Sequence, residues 1–271
     1  MNENHTECET VDNNYRLYNE APIQVKQFYW NQHTELTYKV AYKLNDRFQF
    51  SDKRNYTIDE LLHICDDIFD PSDPDTSLSQ TEHAYQTAYS ALQQGLADEY
   101  VVLGLIHDLG KAVVKLLGID MTFLVGDTYP LGCPFQVEHI TLGESLLQNP
   151  DASNPSYNQG YGCYHSHCGF ERMIFTGHDE FIYLSLCASK HNLPEWALYA
   201  VRYHSFYPWH HHQAYAEYAN HKDHEYLPYL KQLNKLDLYT KHDKPVDASS
   251  RQRIDDIVKQ YIPNGLMFPS V

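Results

Sequence analysis

Positive charge is scarce in this sequence. Its 20 Lys and Arg stand against 36 Asp and Glu, a formal net charge of −16. A protein that holds nucleic acid by its phosphates needs a basic footprint, so nucleic acid is not an expected partner. No stretch of about 18 consecutive apolar residues occurs, the length a membrane-spanning helix needs. The opening residues, MNENHTECETVDNNY, combine no basic region with an apolar run, so no secretory signal is expected there. Cysteine is sparse as well. Cys8, Cys65, Cys133, Cys163, Cys168 and Cys187 include no CxxC pair and no dense framework. Reduced thiols in a cytoplasmic protein are the expectation.

What remains reads as helix after helix. The length of 271 residues suits one large domain. Residues 1–20 form a polar tail, and 21–271 read as a single domain. Helices are expected near 24–44, 57–69, 79–95, 98–117, 179–191, 194–206, 211–220, 224–239 and 248–261. Ser79 and Glu82 have capping-box spacing. The proline-punctuated segment 69–79 is a loop. Residues 122–135 suggest a short strand, a turn and a loop, and 148–168 a long polar loop. The fold class expected is all-α, with a minor short β-hairpin.

The helix at 98–117 is apolar nearly all round, the mark of a buried element. Yet GLIHDLGKAV, residues 104–113, sets His107 and Asp108 side by side within it. An uncompensated charge there is costly. On an ideal helix His107, Asp108, Lys111 and Gly104 fall within a lobe of about 100°. The glycine leaves room for something to approach. Asp108 could simply pair with Lys111 at i,i+3, but that does not account for the adjacent histidine.

Partners for this pair are found elsewhere. His83 lies on the amphipathic helix 24 residues earlier; alone it reads as a helix-start or core histidine. His178 follows Gly177, where it could share a capping role with Asp179. His204 sits among aromatics and could bond a carbonyl. Asp237 is more telling: Leu230, Leu233 and Asp237 follow helical spacing, so a carboxylate occupies a position the pattern reserves for an apolar residue. An inward carboxylate needs a cation. Four histidines and two aspartates make a nitrogen–oxygen donor set with no thiolate. That disfavours a structural zinc site and suits iron, manganese or a metal pair.

The order His83, His107-Asp108, Asp237 resembles the HD-domain superfamily. The segments SDPD (72–75), HAYQTA (83–88), GLIHDLGK (104–111), VGDTYPLGC (125–133), HCGFE (167–171), GHDEF (177–181), RYHSFYPWH (202–210) and NKLDLYTK (234–241) resemble the myo-inositol oxygenase family from about residue 15 to 262. The resemblance implies an HD-domain-like helical bundle and two Fe ions, working as a mixed Fe(II)/Fe(III) pair. One would be held by His83, His107, Asp108 and Asp237, the other by His178 and His204, with Asp108 shared. It implies four-electron cleavage of the myo-inositol ring by O₂ to D-glucuronate, the substrate meeting the second iron through two adjacent hydroxyls. Asp108 and Lys111 would be catalytic, with Lys111 beside a substrate alkoxide. Arg16, Asp70, Ser72, Gly126, Asp127, His204 and Ser205 would surround the remaining hydroxyls. The family's acidic residue between the positions of Asp70 and Ser72 is Pro71 here, and YRLYNE around Arg16 only partly resembles its FRNY. Neither departure touches an expected iron ligand.

The rival chemistries are an HD-type metal phosphohydrolase, a related di-iron oxygenase acting on another polyol or an aminophosphonate, and a binding protein without metal. A phosphohydrolase wants several cations near its phosphate, and Lys111 alone is clearly placed. Four features are set aside. His210, His211 and His212 read as a solvated surface, because neighbours on a helix point apart. CYHSHC (163–168) lacks a second ligand pair. The 23 tyrosines read as packing residues with polar tips, and the acidic run 66–75 as a loop surface. The chain is expected to act as a monomer away from membranes.

Overall fold

A computed structural model describes residues 21–72, 79–238 and 245–270. The tail at 1–20, and Arg16 with it, lies outside the described residues. Among those described, the helices are α1 (Ile23–Glu35), α2 (Tyr38–Gln49), α3 (Ile58–Asp66), α4 (Gln80–Gln93), α5 (Asp98–Ile106), α6 (Val113–Leu117), α7 (Pro155–Asn158), α8 (His178–Ala188), α9 (Glu195–Arg202), α10 (Tyr207–His210), α11 (His221–Leu238) and α12 (Ala248–Tyr261). The fold is all-α with one small antiparallel sheet. Strand β1 (Lys53–Tyr56) pairs with β2 (Leu266–Pro269), Tyr56 opposite Leu266. The Tyr56 hydroxyl donates to Pro269 O at 2.9 Å.

The expected strand at 122–135 is not formed. Residues Met121–Phe123 make a 3₁₀ turn, Gly126 and Gly132 have φ of 89° and 82°, and a lone bridge joins Leu131 to Ile174. Left-handed glycines interrupt the extended backbone that a ladder needs. The stretch 24–44 divides at Leu36, and Thr37 caps α2 by accepting from Val40 N. No helix spans 211–220, where Gln213 and Tyr215 sit at φ of 55° and 63° and turns replace it. The expected capping box at Ser79 is half present. Ser79 caps Glu82 N, but the Glu82 carboxylate turns to Val246 N and Arg251, tying α4 to α12.

Helix α5 is the hub, with Tyr100 to Ile106 all buried beneath α4, α9, α11 and α12. Gly104 serves this packing. A Cβ there would lie 2.7 Å from Ala88 N and 2.8 Å from Ala88 Cα. The room it leaves is taken by the backbone of α4, not by a ligand, so the expected open space is corrected. The helix expected at 98–117 also breaks. It ends at Ile106, a 3₁₀ turn runs Leu109–Ala112, and α6 resumes at Val113. The turn is tightened by Lys111 N donating to Asp108 O at 3.0 Å. Short 3₁₀ runs of this kind re-aim side chains within helices.

Helix α1 contributes a buried histidine away from the site. His33 is fully buried, with Nδ1 2.6 Å from Ser145 Oγ. Burial lowers its pKa from 6.5 to about 4. The unfolded chain therefore binds more protons between those two values. Stability should fall as pH drops through this window, by about 3 kcal/mol in all, and should carry no His33 contribution above it. Denaturant titrations across the window should show this slope, and His33→Leu should flatten it.

Candidate metal centre

The 3₁₀ break aims the two residues in question. His107 caps α5, and its Nδ1 donates to Gly104 O at 2.9 Å. A carbonyl can only accept, so Nδ1 carries the proton and Nε2 presents a bare lone pair. Two more histidines are held in the same way. His178 Nδ1 donates to Leu124 O at 2.6 Å, and His204 Nδ1 to Val201 O at 2.8 Å. Fixing one ring nitrogen on a backbone carbonyl is how metal-binding imidazoles are oriented.

The inward atoms form two adjoining groups. His83 Nε2 lies 2.8 Å from Asp237 Oδ1, and His107 Nε2 lies 3.4 Å from the same oxygen. His178 Nε2 and His204 Nε2 are 3.2 Å apart. Asp108 stands between the groups. Its Oδ2 is 3.6 Å from His107 Nε2, and its Oδ1 is 3.2 Å from His178 Nε2 and 3.8 Å from His204 Nε2. Among the described residues, three triads of ligand atoms gather within 4.8 Å: His83–His107–Asp237, His107–Asp108–His204 and His178–Asp179–His204.

With both rings neutral, two lone pairs face each other at His178 and His204, an arrangement that calls for a proton or a metal ion between or beside them. The His107 Nε2 atom has no hydrogen-bond partner. The electrostatics agree. Burial by itself would lower the pKa of His107, yet Asp108 and Asp237 raise it. Burial would raise Asp108 and Asp237, but Lys111 and His107 hold the first far down and His107 and His83 the second. The cavity is built for positive charge, and its donors are nitrogen and oxygen. That set fits a first-row transition metal.

The remaining expected residues divide into two sets. Lys111, buried, places Nζ 3.0 Å from Asp108 Oδ2, 2.9 Å from Asp70 Oδ2 and 3.2 Å from Gln80 Oε1. Asp70 also accepts from Ser72 N at 2.9 Å and Ser72 Oγ at 2.7 Å. Asp70 and Ser72 thus join Lys111 at one edge. Ser205 borders His178, its Oγ 3.4 Å from Nε2. Gly126 and Asp127 lie in the loop that holds His178 through Leu124 O. Gly126 packs against Gln32 and Tyr29, and Asp127 accepts from Thr141 N at 2.8 Å.

Some supporting residues were not foreseen. Asp179 is fully buried; its Oδ2 accepts from Ser205 N at 2.8 Å, and its Oδ1 is 3.0 Å from His178 Nε2. The acidic start of α8 reads as capping, which hides this. His210 is also buried, where a solvated surface was expected; His211 and His212 alone are exposed. The His210 Nε2 donates to His204 O at 3.0 Å, which fixes the turn beneath His204. Behind them Arg202 and Glu180 form a buried two-pronged pair at 2.7 and 2.9 Å.

Gly110 is the tightest of these supports. A Cβ there would fall 1.9 Å from His178 O. Gly110→Ala should therefore cost at least about 1–3 kcal/mol and reduce metal content by displacing His178. Thermal unfolding with metal analysis checks both.

Comparison with known proteins agrees with this geometry. The sequence profile of the family described as myo-inositol oxygenase matches residues 23–268. The inositol oxygenase of Rattus norvegicus is 35% identical over 260 residues, covering 93% of this chain and 90% of the relative. That of Dictyostelium discoideum is 35% identical over 261 residues, covering 93% and 89%. The Homo sapiens protein is 34% identical over 258 residues, covering 93% and 90%. With a buried two-group histidine–aspartate centre and similarity over nearly its whole length, the chain belongs to the myo-inositol oxygenase family.

Proposed function

We propose that the chain is an inositol oxygenase with two irons, converting myo-inositol and O₂ to D-glucuronate and water. The observation that carries this reading is the pair of nitrogen–oxygen groups meeting at Asp108, in a chain of this family. One iron would be held by His83, His107, Asp108 and Asp237, the other by Asp108, His178 and His204. A mixed-valent Fe(II)/Fe(III) pair held there would bind and activate O₂, which itself accepts the four electrons of the cleavage.

The chain's own groups bind and orient the polyol. Lys111 is an ammonium despite burial, because Asp108 and Asp70 raise its pKa. Its charge would stabilise a substrate oxygen as it loses its proton. Asp70, Ser72, Ser205 and the Gly126–Asp127 backbone supply acceptors and donors for further hydroxyls, with Arg16 as an additional contact. We further propose that 21–271 act as one oxygenase domain, in the cytoplasm and as a monomer. No described helix is long and apolar enough to cross a membrane.

A phosphohydrolase reading is less well supported. A phosphate would need several cations, the ammonium beside Asp108 is one, and the relatives this chain matches are inositol oxygenases. The test is metal analysis joined to an O₂-uptake assay with myo-inositol and detection of glucuronate. Two irons per chain with one O₂ consumed per glucuronate is the expected result. Two irons without O₂ uptake would point to another substrate. Phosphatase activity with Mn²⁺ and no inositol turnover would overturn the reading.

A further inference from the structure

Tyrosine is abundant here, 23 residues in the chain, and the proposed chemistry uses none of them. Several form one continuous file. Trp196 and Tyr229 are stacked with ring centroids 4.7 Å apart, and Tyr229 is 39% exposed. Tyr229 meets Tyr226 at 6.3 Å, Tyr226 meets Tyr199 at 5.6 Å, and Tyr199 meets Tyr203 at 4.7 Å. Tyr203 immediately precedes His204, whose Nε2 faces the metal centre. Helical spacing builds the file: Tyr199 and Tyr203 are i,i+4 along α9 and its end, and Tyr226 and Tyr229 are i,i+3 on α11.

Packing alone does not account for the inner end. The hydroxyls of Tyr199 and Tyr203 are buried without a well-formed hydrogen bond, which is costly for polar groups. Asp223, whose buried carboxylate accepts from Asn220 N at 2.8 Å and Phe170 N at 3.2 Å, interacts with the Tyr199 hydroxyl. Burial, with Asp223 as a further cause, raises the pKa of Tyr199; burial likewise raises that of Asp223, making it a better proton acceptor. A buried phenol next to a buried base is the arrangement that lets a tyrosine lose an electron and a proton together.

We propose that Trp196, Tyr229, Tyr226, Tyr199 and Tyr203 form an electron-transfer path between the protein surface and the metal centre. This rests on the iron reading above. In the step proposed, one electron leaves Tyr199 towards the centre through Tyr203 and His204. The phenolic O–H bond breaks, its proton passes to the Asp223 carboxylate, and a neutral tyrosyl radical remains. Tyr226 and then Tyr229 or Trp196 refill it, and the proton returns from Asp223. The last electron comes from a one-electron donor in solution, of the thiolate or enediol class, which is oxidised. The net change is one electron lost by the donor and one gained by the centre.

Tyr→Phe substitutions keep the ring and remove the redox-active phenol. In the iron-loaded protein, brought to the diferric state and mixed with a thiol, the mixed-valent EPR signal should grow several-fold more slowly in Tyr199→Phe and Tyr226→Phe than in wild type. Tyr129→Phe, buried but off the file, should not change the rate. A second measurement needs no iron. Photo-oxidation with a ruthenium sensitiser and a sacrificial acceptor, followed by spin-trapping and peptide mapping, should place radical adducts on Tyr199 or Tyr203. Tyr226→Phe should confine them to Tyr229 and Trp196. Equal reduction rates in all variants, or adducts confined to the surface in wild type, would overturn the path. Protein that takes up no iron yet shows inward adducts would instead overturn the iron reading and leave the path standing.

Discussion

Asp108→Ala should abolish inositol turnover and strip the centre of metal. Asp108 reaches both histidine groups, with Oδ2 towards His107 and Oδ1 towards His178 and His204. In the proposed two-iron centre, truncation would remove the shared donor and the negative charge that offsets two cations. The remaining groups, His83–His107–Asp237 and His178–Asp179–His204, are then each a partial site with no link. Loss of fold is not the expected cause. Lys111 keeps Asp70 at 2.9 Å, so the substitution does not leave a buried cation unpaired, which would cost about 3–5 kcal/mol. The metal-free variant should therefore unfold close to the metal-free wild type. The expected result is metal below one ion per chain, no glucuronate, and a metal-free melting temperature little changed. Asp108→Asn, which keeps the shape, should share the metal loss, because an amide cannot bridge as a carboxylate does. Full turnover in either variant would sink the shared-ligand role.

The centre was legible in the sequence to the degree that its residues offend local rules. His107 and Asp108 stand out within an apolar helix, and Asp237 takes the place of a leucine. Both signals survive into the structure, where Asp237 meets His83 and His107 across α4, α5 and α11. What stayed hidden depends on distant chain. The break after Ile106 is not fixed locally: His107 and Asp108 are only mildly poor helix formers, and Gly110 alone in the turn clearly disfavours helix. It coincides with Gly110 lying against the backbone of His178, a contact across 68 residues of sequence. The sheet was expected within one short segment but pairs strands whose contacting residues are 213 apart. Gly104 reads as open room beside the pair, but the room is filled by the backbone of Ala88. Asp179 and His210 escaped notice because their immediate neighbours offered simpler roles, a helix start and a run of histidines.

Lys111→Met should separate chemistry from metal binding. Methionine keeps much of the apolar stem and removes the charge. Lys111 lies among carboxylates rather than among the imidazoles. Its contacts are Asp70, Asp108 and Gln80, so no donor nitrogen is lost with it. Two irons should still bind. Turnover should fall by about 10²–10³-fold in kcat, the usual effect of losing a buried donor aimed at a developing oxyanion. The loss should appear more in kcat than in KM, because a charge-stabilising group acts when the substrate oxygen gives up its proton. Asp70 would feel the change as well. Its Oδ1 remains bonded to Ser72, but its Oδ2 loses the ammonium. Asp70→Asn, which spares the lysine, should therefore raise KM more than it lowers kcat. Iron loss in Lys111→Met would show that the ammonium instead stabilises Asp108 for metal. Unchanged kcat with two irons bound would remove Lys111 from the chemistry altogether.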